Sequence, residues 1–254
     1  MISTLRKAVL VLSVLMVATV FNGPKALASP TGTLDWSIPN APTSGFKQIN
    51  YYLTVQGMSD QSGWYFAYQF TTLAGQGGYI GLQPKSRDAN GNQVLQAVFS
   101  NFSSGSTEND ANCVPGADGG AGVSCSTRFT PTMGHTYRMQ VLNRGGGTWE
   151  GVVSDMTSGG PFIHIGTWTL TDPALMRASQ VSWAERYIDG YNCNLADIPY
   201  FKVTYRSPIG WGTDNVQRDG TLSSAREGGP CTGSQGFSAS GSGTAVTVQG
   251  GSTG

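Results

Sequence analysis

Thr136-Tyr137-Arg138-Met139-Gln140-Val141-Leu142, then Asn143-Arg144-Gly145-Gly146-Gly147, then Thr148-Trp149-Glu150-Gly151-Val152-Val153-Ser154 reads as two short strands folded back on one another. Tyr137, Met139 and Val141 alternate with Arg138 and Gln140, the period of a half-buried strand. The glycines between the two runs supply a tight turn, because glycine adopts positive φ without a Cβ clash. The same grammar recurs along the chain. Asn50-Tyr-Tyr-Leu-Thr-Val55, Trp64-Tyr-Phe-Ala-Tyr-Gln-Phe70, Tyr79-Ile-Gly-Leu-Gln83 and Val94-Leu-Gln-Ala-Val-Phe99 are β-branched and aromatic. Asn90-Gly91, between the last two, is a hairpin signal. Phe162 to Leu170, Ala178 to Tyr187, Tyr200 to Tyr205 and Thr244 to Val248 complete roughly ten expected strands.

Short strands, frequent turns and no long helical period predict an all-β fold, a two-sheet antiparallel sandwich of jelly-roll or lectin-like type. Phe162, His164, Gly166, Trp168 and Leu170 fall on one side of their strand and Ile163 and Ile165 on the other. Apolar groups on both sides predict a strand covered twice. Thr171-Asp172-Pro173-Ala-Leu-Met-Arg177 is the exception, with Asp172 as cap and Pro173 at the first position of an expected helical turn.

The first 28 residues set the location. Arg6 and Lys7 precede an apolar run of about 14 residues, short of the roughly 20 needed to span a bilayer, and Ala26-Leu27-Ala28 follows. This is the pattern of a secretory signal peptide cleaved after Ala28. The expected division is residues 1–28 as signal peptide, 29–49 as an N-terminal extension, 50–232 as the sandwich, and 233–254 as a Gly/Ser-rich segment. That last segment is either a flexible tail or a loop plus one closing strand. Removing the leader takes away Arg6, Lys7 and Lys25 and leaves 12 basic against 15 acidic side chains, a formal charge of −3. Such a balance offers no electrostatic footprint for nucleic acid or an anionic membrane. Only 12% of the chain is charged, so the surface is expected to be polar and uncharged, and the protein monomeric.

Four cysteines in an exported chain read as two disulfides. Of the three possible pairings, Cys113–Cys125 and Cys193–Cys231 are favoured, because each closes a loop within its own half. The spacings lack the short Cys-x-x-Cys pairs of zinc sites, so no metal is expected there.

The aromatic pattern also carries a family likeness. Gly63-Trp64-Tyr65-Phe66-Ala67, Gly78-Tyr79-Ile80-Gly81-Leu82-Gln83, Val98-Phe99-Ser100-Asn101-Phe102, Gly134-His135-Thr136-Tyr137-Arg138-Met139 and Thr148-Trp149-Glu150-Gly151 resemble a secreted bacterial family known as domain of unknown function 3472. The resemblance spans roughly residues 50 to 170. It implies a lectin-like jelly roll and an extracellular address, and it supplies no catalytic residues.

Three functions follow as expectations. The first is binding of an extracellular or cell-wall glycan, since an indole covers the apolar face of a sugar while neighbouring polar groups meet its hydroxyl rim. Trp183, Trp211, Tyr187, Tyr191 and Arg186 are the candidates, whereas Trp64 and Trp168 read as core. The second is a polysaccharide lyase with His164 and Tyr200 as base and acid. Phe162 stands where such lyases carry a glutamine, and no upstream Arg-x-Glu is present. The third is a secreted factor contacting a protein partner through an exposed apolar patch.

A two-carboxylate glycosidase finds little support, because Glu150 and Asp155 fall on opposite faces and Glu185 with Asp189 run into a turn at Gly190. There is no Gly-x-Ser-x-Gly elbow. No cofactor is expected. A structural calcium at Asp88-x-Asn90-x-Asn92 or Glu108-Asn-Asp110 is the one metal reading considered. Asn101-Phe102-Ser103 fits a glycosylation sequon.

Overall fold

The structure, a computed structural model, describes residues 29–60, 63–188 and 193–252. In chain order its strands are β1 (Ser29–Ser37), β2 (Phe46–Met58), β3 (Trp64–Thr71), β4 (Gly77–Lys85), β5 (Val94–Asn101), β6 (Thr107–Glu108), β7 (Cys113–Ala117), β8 (Gly120–Phe129) and β9 (Thr136–Gly145). There follow β10 (Thr148–Asp155), β11 (Ile163–Thr169), β12 (Ser179–Arg186), β13 (Phe201–Gly212), β14 (Gln217–Asp219), β15 (Thr221–Leu222), β16 (Arg226–Glu227), β17 (Ser238–Ser242) and β18 (Ala245–Gly250). The described residues hold no α-helix, only a 3₁₀ turn at Leu195–Asp197.

Two nine-stranded antiparallel sheets form the expected sandwich. Sheet A runs β15-β1-β12-β3-β4-β5-β8-β7, with β16 also paired to β1. Sheet B runs β17-β18-β13-β2-β9-β10-β11-β6, with β14 paired to β13. Each strand read from the sequence is present, and Asn90-Gly91 turns β4 into β5. There Asp88 Oδ1 accepts the N–H groups of Asn90 (2.9 Å) and Asn92 (2.8 Å), while Gly91 sits at φ +80°. Eight strands among the described residues go beyond the sequence reading: β1, β8 in the Gly-, Ser- and Thr-rich stretch Gly120–Phe129, and the short pieces β6, β7 and β14 to β17, where backbone pairing leaves little apolar period to read.

The layers meet on a core built from the inward-facing side of each alternating strand. Trp36, Trp64, Trp149 and Trp168 are all buried in it. Phe70, Phe99 and Trp168 stack at 4.6 to 6.2 Å between ring centroids. Full burial of each such ring contributes about 1.5–3 kcal/mol. Two phenols join the layers. The Tyr68 hydroxyl, from sheet A, lies between the Tyr52 and Arg206 carbonyls of sheet B at 3.0 and 2.8 Å. Tyr205, from sheet B, donates to the Trp183 carbonyl of sheet A at 2.6 Å. Burial raises the pKa of both phenols, so both remain protonated.

Several elements depart from the sequence reading. Residues 29–37 are no appendage: β1 lies inside sheet A, between β12 and β15. The C-terminal segment supplies the expected closing strand as β18 and adds a second, β17, at the edge of sheet B. Residues 171–177 form no helical turn. Met176 is fully buried and its backbone pairs with Phe46 and Thr72, so tertiary pairing overrides the capping signal. Strand β11 carries a bulge: Gly151 pairs with Gly166 and Val152 with His164, which leaves Ile165 extra. That residue flips the parity. Ile165 and Trp168 turn to the core while His164 turns outward, so β11 is not covered twice.

Both favoured disulfides are formed, Cys113–Cys125 across the β7–β8 hairpin and Cys193–Cys231. Bridges of this kind suit an oxidising compartment. Among the described residues no helix is long and apolar enough to cross a membrane. Residues 1–28, which carry the expected signal peptide, lie outside the described residues.

Candidate functional site

The outward face of sheet A is where large rings and ionisable groups gather. Trp183 on β12 pairs with Ala67 on β3, Ala67 with Gly81 on β4, and Gly81 with Val98 on β5. Alternation puts these four on one face, in one row across the sheet. Ala67 and Gly81 make a low floor, and rings close over it. Tyr65 lies across Gly81, where a Cβ would meet its Cε2 at 2.8 Å and also strike the Phe66 carbonyl. Tyr65, Tyr79 and Trp183 then pack edge to face, with centroids 5.1, 6.5 and 6.2 Å apart. Phe102, 40% exposed, extends the cluster from Tyr79 at 5.1 Å. Edge-to-face contacts of this kind add about 0.5–1.5 kcal/mol each beyond area burial.

Polar groups fringe the rings. Lys85 Nζ donates to Gln83 Oε1 and to the Tyr187 hydroxyl, both at 2.8 Å, and sits 5.3 Å from the Tyr187 ring centre. The Tyr79 hydroxyl donates to Asp118 Oδ1 at 2.9 Å. Asp118 is the exposed tip of the β7–β8 hairpin, at φ +49°, a conformation that aspartate tolerates better than most side chains. Thus the Cys113–Cys125 bridge anchors an arm whose tip reaches back over the sheet face.

Glu185 follows Trp183 by two residues on β12, shares its face, and pairs with Tyr65. Burial among the rings pushes its carboxyl up to about 7, and the charge of Asp118 adds to the rise. The Tyr65 hydroxyl is buried, without a hydrogen-bond partner, in the field of Tyr79, Glu185 and Asp118. Further along β12, on the same face, Val181 opens onto a cavity of about 610 Å³ lined also by Asp35, Ser37, Thr221 and Ser223. Binding faces for extended ligands combine such a ring platform with a few convergent polar groups.

The residues singled out from the sequence separate. Trp183 and Tyr187 both belong to this cluster. Arg186, one residue out of phase with Trp183, has the opposite parity. Trp211 is on the other layer, where β13 pairs it with Gln48 and Gln217. Tyr191 lies outside the described residues, as does Asp189.

His164 and Tyr200 do not converge. Tyr200 immediately precedes β13, and four strand spacings separate β13 from β11 in sheet B, roughly 19 Å. His164 is instead held between two carboxylates, with Nε2 on Asp110 and Nδ1 3.0 Å from Glu150, itself paired with Arg144. Among the described residues no group of three or more His, Cys, Asp or Glu side chains is placed to hold a metal. Asp88 serves the hairpin turn and Asp110 serves His164 and the Asn112 N–H. Asn101 is fully buried with Oδ1 accepting the Ser103 N–H, which removes the sequon from solvent.

Asp118 carried no signal in the sequence, whereas Tyr65 and Tyr79 were visible as strand aromatics and Glu185 as a carboxylate of the disfavoured glycosidase reading. The parity of Trp183 and Glu185 was available; the reach of the hairpin arm was not.

No family model matches the chain, and no curated protein matches it. Among solved structures it is similar to a scytalido-glutamic peptidase bound to a peptide-based transition-state analogue, at 13% identity and TM-score 0.49, covering 87% of this chain and 98% of that one. A second structure of a scytalido-glutamic peptidase, with a transition-state analogue inhibitor, gives TM-score 0.47 with the same identity and coverage. So does SCP-B, an eqolisin-family peptidase in complex with the tripeptide Ala-Ile-His. At this identity the likeness is one of fold and says nothing of activity.

Proposed function

We propose that this is an exported glycan-binding sandwich, and that a polysaccharide chain lies across the outer face of sheet A. The observation that carries the reading is the ring cluster of Trp183, Tyr79, Tyr65 and Phe102, fringed by Glu185, Asp118, Lys85 and Tyr187 and continuing along β12 to the cavity at Val181. Trp183 and Phe102, which keep exposed surface above the buried Tyr65 and Tyr79, offer apolar area to the C–H faces of sugars, and the fringe offers donors and acceptors to their hydroxyls. The leader-like start and the two disulfides support an extracellular site of action. The exposed large apolar side chains among the described residues are scattered along the chain, with only Met156 and Phe162 sharing a connection, which favours a sugar over a protein partner.

Affinity electrophoresis of the mature chain through gels containing neutral polysaccharides tests this. At least one polymer retards the wild type, and Trp183→Ala weakens that retention about tenfold or more, the scale of one lost ring contact. His164→Gln, on the opposite layer, binds as the wild type does. Equal retention of wild type and Trp183→Ala, or no retention by any polymer, refutes the reading.

A further inference from the structure

We infer that Glu185 and Asp118 act as a proton-transfer pair that hydrolyses a glycosidic bond of the chain held on this face. The inference rests on the glycan-binding reading and deepens it. Two carboxyl groups with unlike surroundings converge here. Glu185 is packed among rings, and Asp118 is exposed on a hairpin tip held in place by the Tyr79 hydroxyl at 2.9 Å. Tyr65 brings a second, independent sign of a ligand. Its side chain is 2% exposed, its hydroxyl has no hydrogen-bond partner, and the groups whose charges act on it are Tyr79, Glu185, Asp118 and Tyr205. A buried hydroxyl left unpaired is costly, and a sugar hydroxyl or ring oxygen arriving at the face would satisfy it.

Paired carboxyls whose environments push their proton affinities apart are the recurring arrangement for acid and base in one site. Burial keeps the proton on Glu185 up to about pH 7. Glu185 gives that proton to the bridging oxygen as the bond from the anomeric carbon to that oxygen breaks. Water adds its oxygen to the anomeric carbon and gives a proton to Asp118. Exchange with solvent moves the proton from Asp118 back to Glu185. One water is consumed per bond, and nothing is oxidised or reduced. The titratable groups facing Glu185 are Tyr65 and Tyr79 from its own sheet, Tyr205 from the other layer, and Asp118 on the hairpin arm. With Glu185 protonated, Asp118 carries the pair's negative charge, and Lys85 is already engaged by Gln83 and Tyr187, so among the described residues the face offers no free cation to a uronate and the substrate class is an uncharged polysaccharide.

The test is release of reducing ends from neutral polysaccharides such as xylan, mixed-linkage glucan and cellulose by the purified mature chain, beside Glu185→Gln and Asp118→Asn. Wild type is expected to cleave a polymer that retards it in affinity gels, with kcat/KM falling as the pH rises through about 7. Glu185→Gln is expected to keep wild-type retention and near-ultraviolet dichroism while kcat drops about a hundredfold or more. Asp118→Asn is expected to lose kcat while its retention is kept. Wild-type protein that is retained by a polymer yet cleaves none of them overturns this inference and leaves the binding reading standing. Cleavage by Glu185→Gln at the wild-type rate also overturns it. Absence of retention removes the binding reading beneath it.

Discussion

Replacing Glu185 with glutamine isolates the cost of ionising a carboxyl among rings. Burial lifts this group from 4.5 to about 7. The folded state therefore holds the proton more tightly than the unfolded chain does. The stability this contributes is fully present below about pH 4.5 and is lost as the pH rises through about 7. Each tenfold in proton affinity corresponds to about 1.4 kcal/mol, so the whole effect is at most about 3 kcal/mol; the solvent that Glu185 keeps makes this an upper figure. Glutamine has the shape of the protonated acid and does not titrate. Urea unfolding of wild type and Glu185→Gln in parallel, from about pH 4 to about pH 8, reads the difference directly. Other carboxyls, such as Asp35 and Asp214, whose arginine partners hold their pKa values down, titrate alike in both proteins and cancel. Below about pH 4.5 the two should be nearly equal, and above about pH 7 the glutamine variant should be the more stable by up to about 3 kcal/mol. A difference that stays constant across that range refutes the burial argument.

Two further outcomes probe the frame around the site. Gly166→Ala sets a methyl against Cys125 Cβ and within 2.6 Å of Cys113 Sγ in a filled core, so it should lower unfolding free energy by about 1–3 kcal/mol in denaturant melts. Changing both Cys113 and Cys125 to serine opens a hairpin closed across 12 residues and should cost about 3 kcal/mol on the chain-entropy account, read as a lower unfolding midpoint.

What the sequence disclosed follows a physical divide. Alternation is local, so β2, β3, β9 and β10 could be read from runs such as Tyr137, Met139 and Val141, and the disulfide pairing followed from loop closure. A bulge is invisible to parity. One extra residue at Ile165 moved His164 to the outer surface, while the strand order of sheet B, equally absent from local pattern, keeps it four strands from Tyr200. The candidate site was half legible. Trp183 and Tyr187 belong to the ring cluster, but Asp118 reaches it only because the β7–β8 arm curls back, which no local pattern encodes. Met176 shows the same limit: a helix cap was written at Asp172, and pairing with Phe46 and Thr72 prevailed.

The position of β1 governs the order in which this polypeptide can mature. Its Trp36 pairs with Leu222, its Gly32 with Glu227, and most of its length with β12, so the earliest described strand finds its neighbours only in the last third of the chain. Contacts so distant along the chain are slow to form, because the closure entropy comes due before any pairing repays it. During synthesis Leu34 and Trp36 must therefore wait, uncovered, until well over a hundred further residues have emerged. A chain cut short before that point would display a sticky, unpartnered edge, the kind of surface on which chaperones and proteases act first.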